Sequence, residues 1–176
     1  MYRFEPFFKE DVGELLSWID SKQLLYQWSG SRFLYPLEES VFLKHYAGSI
    51  GDQPERYLFK VNDGDEMVGY IELNNVNIAH RNAMISRVLV KSTKQNKGVA
   101  SFMMKELLKV AFEELGIHRV SLNVFDFNDS ARNVYDKLGF KVEGLLRDTL
   151  KCDDEYWSIY VMSMLEHEYK DRVEER

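Results

Sequence analysis

The most constraining stretch of the sequence is a strand-like run that breaks into a lysine-rich loop and restarts as an apolar helix. From Arg87 to Met104 the chain reads R-V-L-V-K-S-T-K-Q-N-K-G-V-A-S-F-M-M. After Gly98, apolar residues recur at three- and four-residue spacing as far as Gly116, which predicts a helix of roughly four to five turns. Alternation at Val120 to Val124 predicts a second strand. Strand, helix and strand form a crossover whose two strands should run parallel.

The rest of the chain predicts strands and helices on both sides of this crossover. Short amphipathic helices are expected at Glu10 to Ile19 and Leu37 to Tyr46, and another from about Asn128 to Gly139. The runs R-Y-L-F-K-V and E-M-V-G-Y-I-E-L flank an Asp-Gly turn and predict a hairpin. Further strands are expected at Ala83 to Val90, Phe140 to Glu143 and Trp157 to Leu165. The result is an α+β fold, a mixed sheet of six to seven strands flanked by about four helices.

Composition limits the function classes. With 176 residues, of which 45% are hydrophobic, the chain predicts a single domain spanning residues 1–176. A formal net charge of -6 argues against a general nucleic-acid binder, which needs a basic face. The single cysteine, Cys152, leaves no pair for an internal disulfide, and no Cys/His spacing predicts a metal site. With no signal-peptide pattern and no span of membrane length, we expect a cytoplasmic protein without membrane contact.

The segment Leu24 to Pro36 is rich in aromatic residues but lacks a clean period. In a soluble domain such a segment either packs under the core or lines a pocket, and the sequence favours neither alternative. It is also a candidate dimer face or substrate lid. The sequence therefore leaves a homodimer open.

The loop before Gly98 has the features of an anion site. Backbone N–H groups at the start of a helix lack intrahelical partners and lie at the positive end of the helix dipole. Gly98 permits close approach of a ligand, Asn96 takes a left-handed turn at low cost, and nearby lysines attract a polyanion. An ordinary exposed loop between a strand and a helix is the alternative.

Two motifs in the right order resemble the GNAT superfamily of N-acetyltransferases. The family signature Q/R-x-x-G-x-G/A reads Q-N-K-G-V-A at Gln95 to Ala100, and a second marker reads N-D-S-A-R-N-V-Y-D-K-L-G-F at Asn128 to Phe140. The resemblance is clearest from Met67 to Leu165. The segment after Phe140 is similar to the branch that contains ribosomal-protein N-terminal acetyltransferases and small-molecule relatives.

The resemblance implies acetyl-CoA as cosubstrate and no metal. The strand that ends at Val90 would pair its backbone with the pantetheine arm, the loop would hold the pyrophosphate, and an asparagine would hydrogen-bond the arm. The residues that the resemblance assigns to acetyl-CoA are Val88, Leu89, Val90, Gln95, Asn96, Lys97, Gly98, Val99, Ala100, Ser101 and Asn128. Core packing for the valines and a helix cap for Asn128 are compatible alternatives.

Two residues are predicted to act in catalysis. Tyr135, in the second motif, would lie near the sulfur and donate a proton or hydrogen bond to the leaving thiolate. Many members carry a glutamate as general base on the strand before the loop, but Met84, Ser86 and Arg87 stand here without a carboxylate. Glu72 on the neighbouring strand is the candidate base, with a solvent-facing position as the alternative.

The sequence thus predicts an N-acetyltransferase that moves the acetyl group of acetyl-CoA to a primary amine by direct attack in a ternary complex. The negative charge and the acidic turn Cys152 to Glu155 favour a cationic amine, such as a protein N-terminus or a polyamine. An acidic exposed hairpin tip is the simpler explanation of that turn. The alternative function is a non-catalytic acyl-CoA-binding sensor or partner module.

Overall fold

Seven strands form one sheet in the order β1-β2-β3-β4-β5-β7-β6 in the computed structural model, which describes residues 1–174. The strands are β1 (Tyr2–Pro6), β2 (Tyr57–Asp63), β3 (Glu66–Asn77), β4 (Asn82–Val90), β5 (Arg119–Phe125), β6 (Lys141–Cys152) and β7 (Glu155–Leu165). Neighbouring strands are antiparallel except β4 and β5, which run parallel. The mixed sheet and its parallel crossover are therefore confirmed.

Six α-helices accompany the sheet within residues 1–174. They are α1 (Val12–Ser17), α2 (Lys22–Ser29), α3 (Glu39–Ala47), α4 (Val99–Lys109), α5 (Asp129–Leu138) and α6 (Glu166–Glu174), and a π-helical turn at Val110–Glu114 extends α4. The estimate of about four helices was too low, because α2 and α6 were not recognised as regular helices. Strand β1 was also missed, since only five residues at the chain start carry its pattern.

Each face of the sheet is covered by helices and has its own core. Helices α4 and α5 pack on one face, where Met103, Met104 and Leu107 of α4 are fully buried. On the other face, α1 to α3 enclose an aromatic cluster that includes Trp28 and Phe42. No helix within residues 1–174 is long and apolar enough to cross a membrane.

The sheet splays open in its middle. Strands β4 and β5 pair only from Asn82 to Ile85 on β4, opposite Arg119 to Leu122 on β5. Beyond Ile85 the pairing of β4 with β3 shifts register, and Arg87 at this bulge takes a left-handed φ of +51°. The last residues of β4 thus pair with β3 on one side and have no strand partner in the described chain on the other.

Candidate active site

A cleft of about 840 Å³ occupies the place where β4 and β5 diverge. One part of its lining comes from β4, the following loop and the first turns of α4 and α5. The other part comes from α2, the segment after it, and polar residues of α3 and β3. The aromatic segment Leu24 to Pro36 satisfies both alternatives, because Trp28 is buried in the aromatic cluster and also lines the cleft.

The end of β4 presents backbone groups to the cleft. The N–H of Lys91 donates to the carbonyl of Val68 on β3 at 3.0 Å. Because successive residues of a strand point their N–H groups to opposite sides, the N–H of Val90 points away from β3 toward the splayed edge. The side chains of Val88 and Val90 pack against the core under α4, and that of Leu89 belongs to the aromatic cluster on the other face. Core packing by the side chains and an open backbone edge thus occur together at the predicted positions.

The loop after β4 delivers the start of α4 to the same cleft. Gly98 is the N-cap with a left-handed φ of +82°, and Asn96 has φ +59°, as its residue type predicts. The first helical N–H bond runs from Phe102 to the carbonyl of Gly98, so the N–H groups of residues 99–101 lack intrahelical partners. The loop and helix residues that line the cleft are Gln95, Asn96, Gly98, Val99, Ala100 and Ser101.

The lysines of this loop act differently from the prediction. Lys97 does not line the cleft, and its Nζ donates to the carbonyl of Thr93. Lys91 pairs with Glu14 and Glu66 on the protein surface. Lys94 lines the cleft but pairs with Glu66 and with Asp63. Because carboxylates neutralise two of the three lysines, the backbone N–H groups are the main anion-binding feature of the loop.

Asn128 and Tyr135 place α5 against the cleft. The Oδ1 atom of Asn128 accepts from the N–H of Ala131 at 3.2 Å, which confirms the helix cap and leaves its Nδ2 group for other partners. Tyr135 is only 7% exposed, and burial raises its pKa to about 12. Its hydroxyl makes no hydrogen bond with residues 1–174, although the residue lines the cleft. A protonated phenol is therefore available to a ligand in the cleft.

Glu72 lies at the centre of a buried polar cluster. The side chain is 0% exposed, so the solvent-facing alternative was wrong. Its carboxylate accepts from Tyr70 Oη at 2.7 Å, from Asn74 Nδ2 at 2.8 Å and from Arg87 Nη1 at 2.8 Å. His45 Nε2 completes the set at 3.0 Å. Glu72 is not a lining residue, whereas His45, Asn74 and Arg87 are, so it lies directly behind the cleft surface.

The protonation state of this cluster follows from its donors. Arg56 Nη1 approaches His45 Nδ1 at 3.2 Å and donates to the His45 carbonyl at 2.8 Å. A guanidinium can only donate, so Nδ1 accepts, and Nε2 carries the proton that it donates to Glu72. Burial by itself would raise the pKa of Glu72, but the hydrogen bond from His45 and the charge of Arg87 lower it below the ordinary value.

Sequence reasoning missed His45, Arg56 and the role of Arg87. No motif marks the first two, because each contacts Glu72 or its partners only through the tertiary fold. The sequence did give one signal for Arg87, since a basic residue stands there on the strand where many family members carry a carboxylate.

Comparison with known proteins agrees with this geometry. The model of the Acetyltransferase (GNAT) family matches residues 22–140. Spermidine N(1)-acetyltransferase of Escherichia coli (strain K12) is 29% identical over 168 residues, covering 95% of this chain and 87% of that protein. L-amino acid N-acetyltransferase AaaT of the same organism is 31% identical over 116 residues, covering 65% of this chain and 71% of that protein. The crystal structure of spermidine N-acetyltransferase from Vibrio cholerae with CoA and spermine has a TM-score of 0.84 at 23% identity, covering 96% of this chain and 98% of that one.

Proposed function

Since the chain belongs to the GNAT acetyltransferase family and is an acetyl-CoA-dependent N-acetyltransferase acting on amines, we propose that it acetylates a primary amine by direct attack in a ternary complex. The observation that carries this mechanism is the Tyr135 hydroxyl, protonated and without a partner in residues 1–174, in the same cleft as the start of α4. Acetyl-CoA is the cosubstrate and supplies the activated acetyl group.

The residues of the cleft fit acetyl-CoA. The unpaired edge of β4 at Val88 to Val90 suits an extended amide-bearing arm, and the N–H groups at the start of α4 suit a pyrophosphate. In this proposal Asn128 offers its remaining Nδ2 donor to the arm. Lys97 contributes charge alone, because its side chain points to the loop backbone.

The chemical roles divide between Tyr135 and backbone groups. Of Leu89 and Val90, the two candidates on this strand, we assign to the N–H of Val90 the stabilisation of the negative charge that develops on the carbonyl oxygen during attack. Tyr135 donates a proton to the leaving sulfur, and its high pKa keeps that proton available at neutral pH. Glu72 as general base stays a prediction. Its lowered pKa weakens it as a base, and its position requires the proton to arrive through a water or a lining side chain.

The proposal also covers the amine substrate, the cellular location and the oligomeric state. Relatives named for spermidine make a polyamine one amine to test. A cytoplasmic location is supported by the single cysteine, which leaves no pair for a disulfide. A homo-oligomer is supported by the dodecameric structure described for spermidine N-acetyltransferase from Vibrio cholerae.

Calorimetric titration with acetyl-CoA, followed by a thiol-release assay, tests the function. We expect saturable binding in the micromolar range, about 8 kcal/mol at 1 μM, and loss of binding in Gly98→Asp, whose carboxylate repels the pyrophosphate. Gly64→Asp is the matched control, because Gly64 has a similar left-handed φ of +63° but lies in the β2–β3 turn outside the cleft. Binding without thiol release for any amine would instead identify an acyl-CoA-binding module.

A further inference from the structure

The part of the cleft formed by α2, the segment after it and the β4 bulge is lined by cationic side chains. Arg32, Arg56 and Arg87 line it, and no aspartate or glutamate within residues 1–174 does. A polyamine placed here would meet like charges with no carboxylate facing it, which costs binding free energy in a partly dehydrated cleft. The lining therefore opposes the cationic amine predicted from the overall net charge.

The carboxylate behind the lining does not balance these cations. Glu72 contributes one negative charge, whereas Arg56 and Arg87, whose side chains are 13% and 10% exposed, contribute two positive charges, and the exposed Arg32 adds a third that solvent screens. Glu55 approaches Arg56 Nη2 at 3.8 Å, but its side chain is 84% exposed, so solvent screens this contact. A net positive charge is therefore left in this part of the cleft.

Arg87 has hydrogen-bond donors that the protein does not use. Its Nη1 donates to Glu72 and to Ser86 Oγ, whereas its buried Nε has no partner and its Nη2 makes no hydrogen bond with residues 1–174. The side chain is 10% exposed, and Trp28 Nε1 donates to the Arg87 carbonyl at 2.9 Å and holds the bulge in place. A buried donor without an acceptor is costly, and a carboxylate is the ligand that a guanidinium binds best.

We propose that the substrate of this enzyme is an amine that carries a carboxylate, as an amino acid does. The proposal rests on the acetyltransferase function above and specifies its acceptor. The carboxylate of the amino acid pairs with Arg87, and Arg32 adds charge from the exposed side of the cleft. The amine nitrogen forms a bond to the acetyl carbon, the carbon–sulfur bond breaks, and one proton lost by the amine is balanced by one gained by the thiolate.

Matched substrates separate this proposal from the general function. Initial rates of thiol release are measured at saturating acetyl-CoA with L-amino acids, with the α-carboxamides of the same amino acids, and with spermidine. We expect the amino acids to react best, with kcat/KM about tenfold or more above their carboxamides, since a charge-assisted contact is lost. Spermidine or a carboxamide reacting as well as the amino acids would overturn the proposal while leaving the acetyltransferase function intact.

Two variants and a control test which arginines cause the preference for a substrate carboxylate. Arg32→Gln removes an exposed charge without a structural partner in residues 1–174, so it should fold and reduce the preference for the carboxylate through KM. Arg87→Gln should reduce that preference further, with unchanged acetyl-CoA affinity. Arg147→Gln, an exposed arginine of β6 outside the lining, should leave the preference as it is. If both cleft variants keep the wild-type preference for amino acids over their carboxamides, the proposed pairing is contradicted. If neither the amino acids, their carboxamides nor spermidine are acetylated, both this proposal and the catalytic function are contradicted.

Discussion

Tyr135 combines burial with a hydroxyl that has no partner in the described chain. Burial raises its pKa to about 12, so the phenol stays protonated through the range in which amines become neutral. We predict that Tyr135→Phe lowers kcat by about 100-fold, the lower end for a general acid, while acetyl-CoA affinity is kept. In the wild-type protein, kcat should show no decline up to about pH 10. A decline of the wild-type kcat near neutral pH that is absent in Tyr135→Phe would instead show that the pKa of Tyr135 lies far lower.

Glu72 is held by four donors in a site closed to solvent. Its folded-state pKa is lowered from the ordinary value of 4.5, so its ionised form contributes stability that is present above that value and lost as the pH falls through the folded pKa. Glu72→Gln leaves Arg87 without its counter-charge, and we expect the free energy of unfolding at pH 7 to fall by about 3 kcal/mol.

Urea denaturation of wild type and Glu72→Gln at neutral and acidic pH measures this effect. The difference between them should narrow below the ordinary glutamate pKa, because the wild type then loses its advantage. Glu114→Gln, an exposed glutamate on the π-helical turn, serves as control. Equal stability of Glu72→Gln and wild type at pH 7 would show that the cluster does not stabilise the fold.

At the level of elements, a glycine sets the distance between β3 and α4. A Cβ on Gly69 would stand 2.5 Å from Met103 Sδ and 3.1 Å from Val99 Cγ1. Both neighbours are buried, so neither can move into solvent. We predict that Gly69→Ala costs about 1–3 kcal/mol of stability through overpacking. Because Val99 begins α4 beside Gly98, acetyl-CoA affinity should weaken as well.

Thermal unfolding and acetyl-CoA titration of Gly69→Ala measure the two effects separately. Gly144→Ala is the matched control, since a Cβ at this exposed position of β6 meets nothing within 4 Å. A Gly69→Ala protein as stable as Gly144→Ala would mean that Met103 repacks without cost.

The elements that were predicted well carry their own start and stop signals. Helix α5 begins at the Asn128 cap and ends at Gly139 with φ +98°, both readable from residue type. Helix α2 has a comparable cap at Ser21, but its apolar residues face both the aromatic cluster and the cleft, so no single stripe appears. Strand β6 is exposed along most of its length and lacks alternation, so the sequence revealed only its first residues.

At the scale of the whole molecule, the position of the loop before α4 could be predicted, whereas the buried polar cluster around Glu72 could not. The loop and Tyr135 lie in two short motifs whose spacing survives in the sequence. The Glu72 cluster draws on α3, β3, β4 and Arg56 just before β2, and His45 is 27 residues away from Glu72. Contacts of this kind depend on the packing of helices onto the sheet, and no local pattern encodes them. The charge of the cleft lining likewise differs in sign from the net charge of -6, because no aspartate or glutamate within residues 1–174 lines the cleft.

The splay between β4 and β5 leads to a prediction for the whole sheet. The N–H of Val90 faces the splayed edge without a strand partner, so it should exchange with solvent faster than neighbouring amides paired to β3. Acetyl-CoA at 100 times its Kd should stabilise the fold by about 2.7 kcal/mol and slow exchange throughout the core. If its arm pairs with β4, Val90 should gain protection well beyond this general effect, whereas amides between β1 and β2 should not. Residue-resolved hydrogen exchange with and without acetyl-CoA measures this difference. Equal gains in protection at Val90 and in β1 would show that the ligand binds with its arm away from the edge of β4.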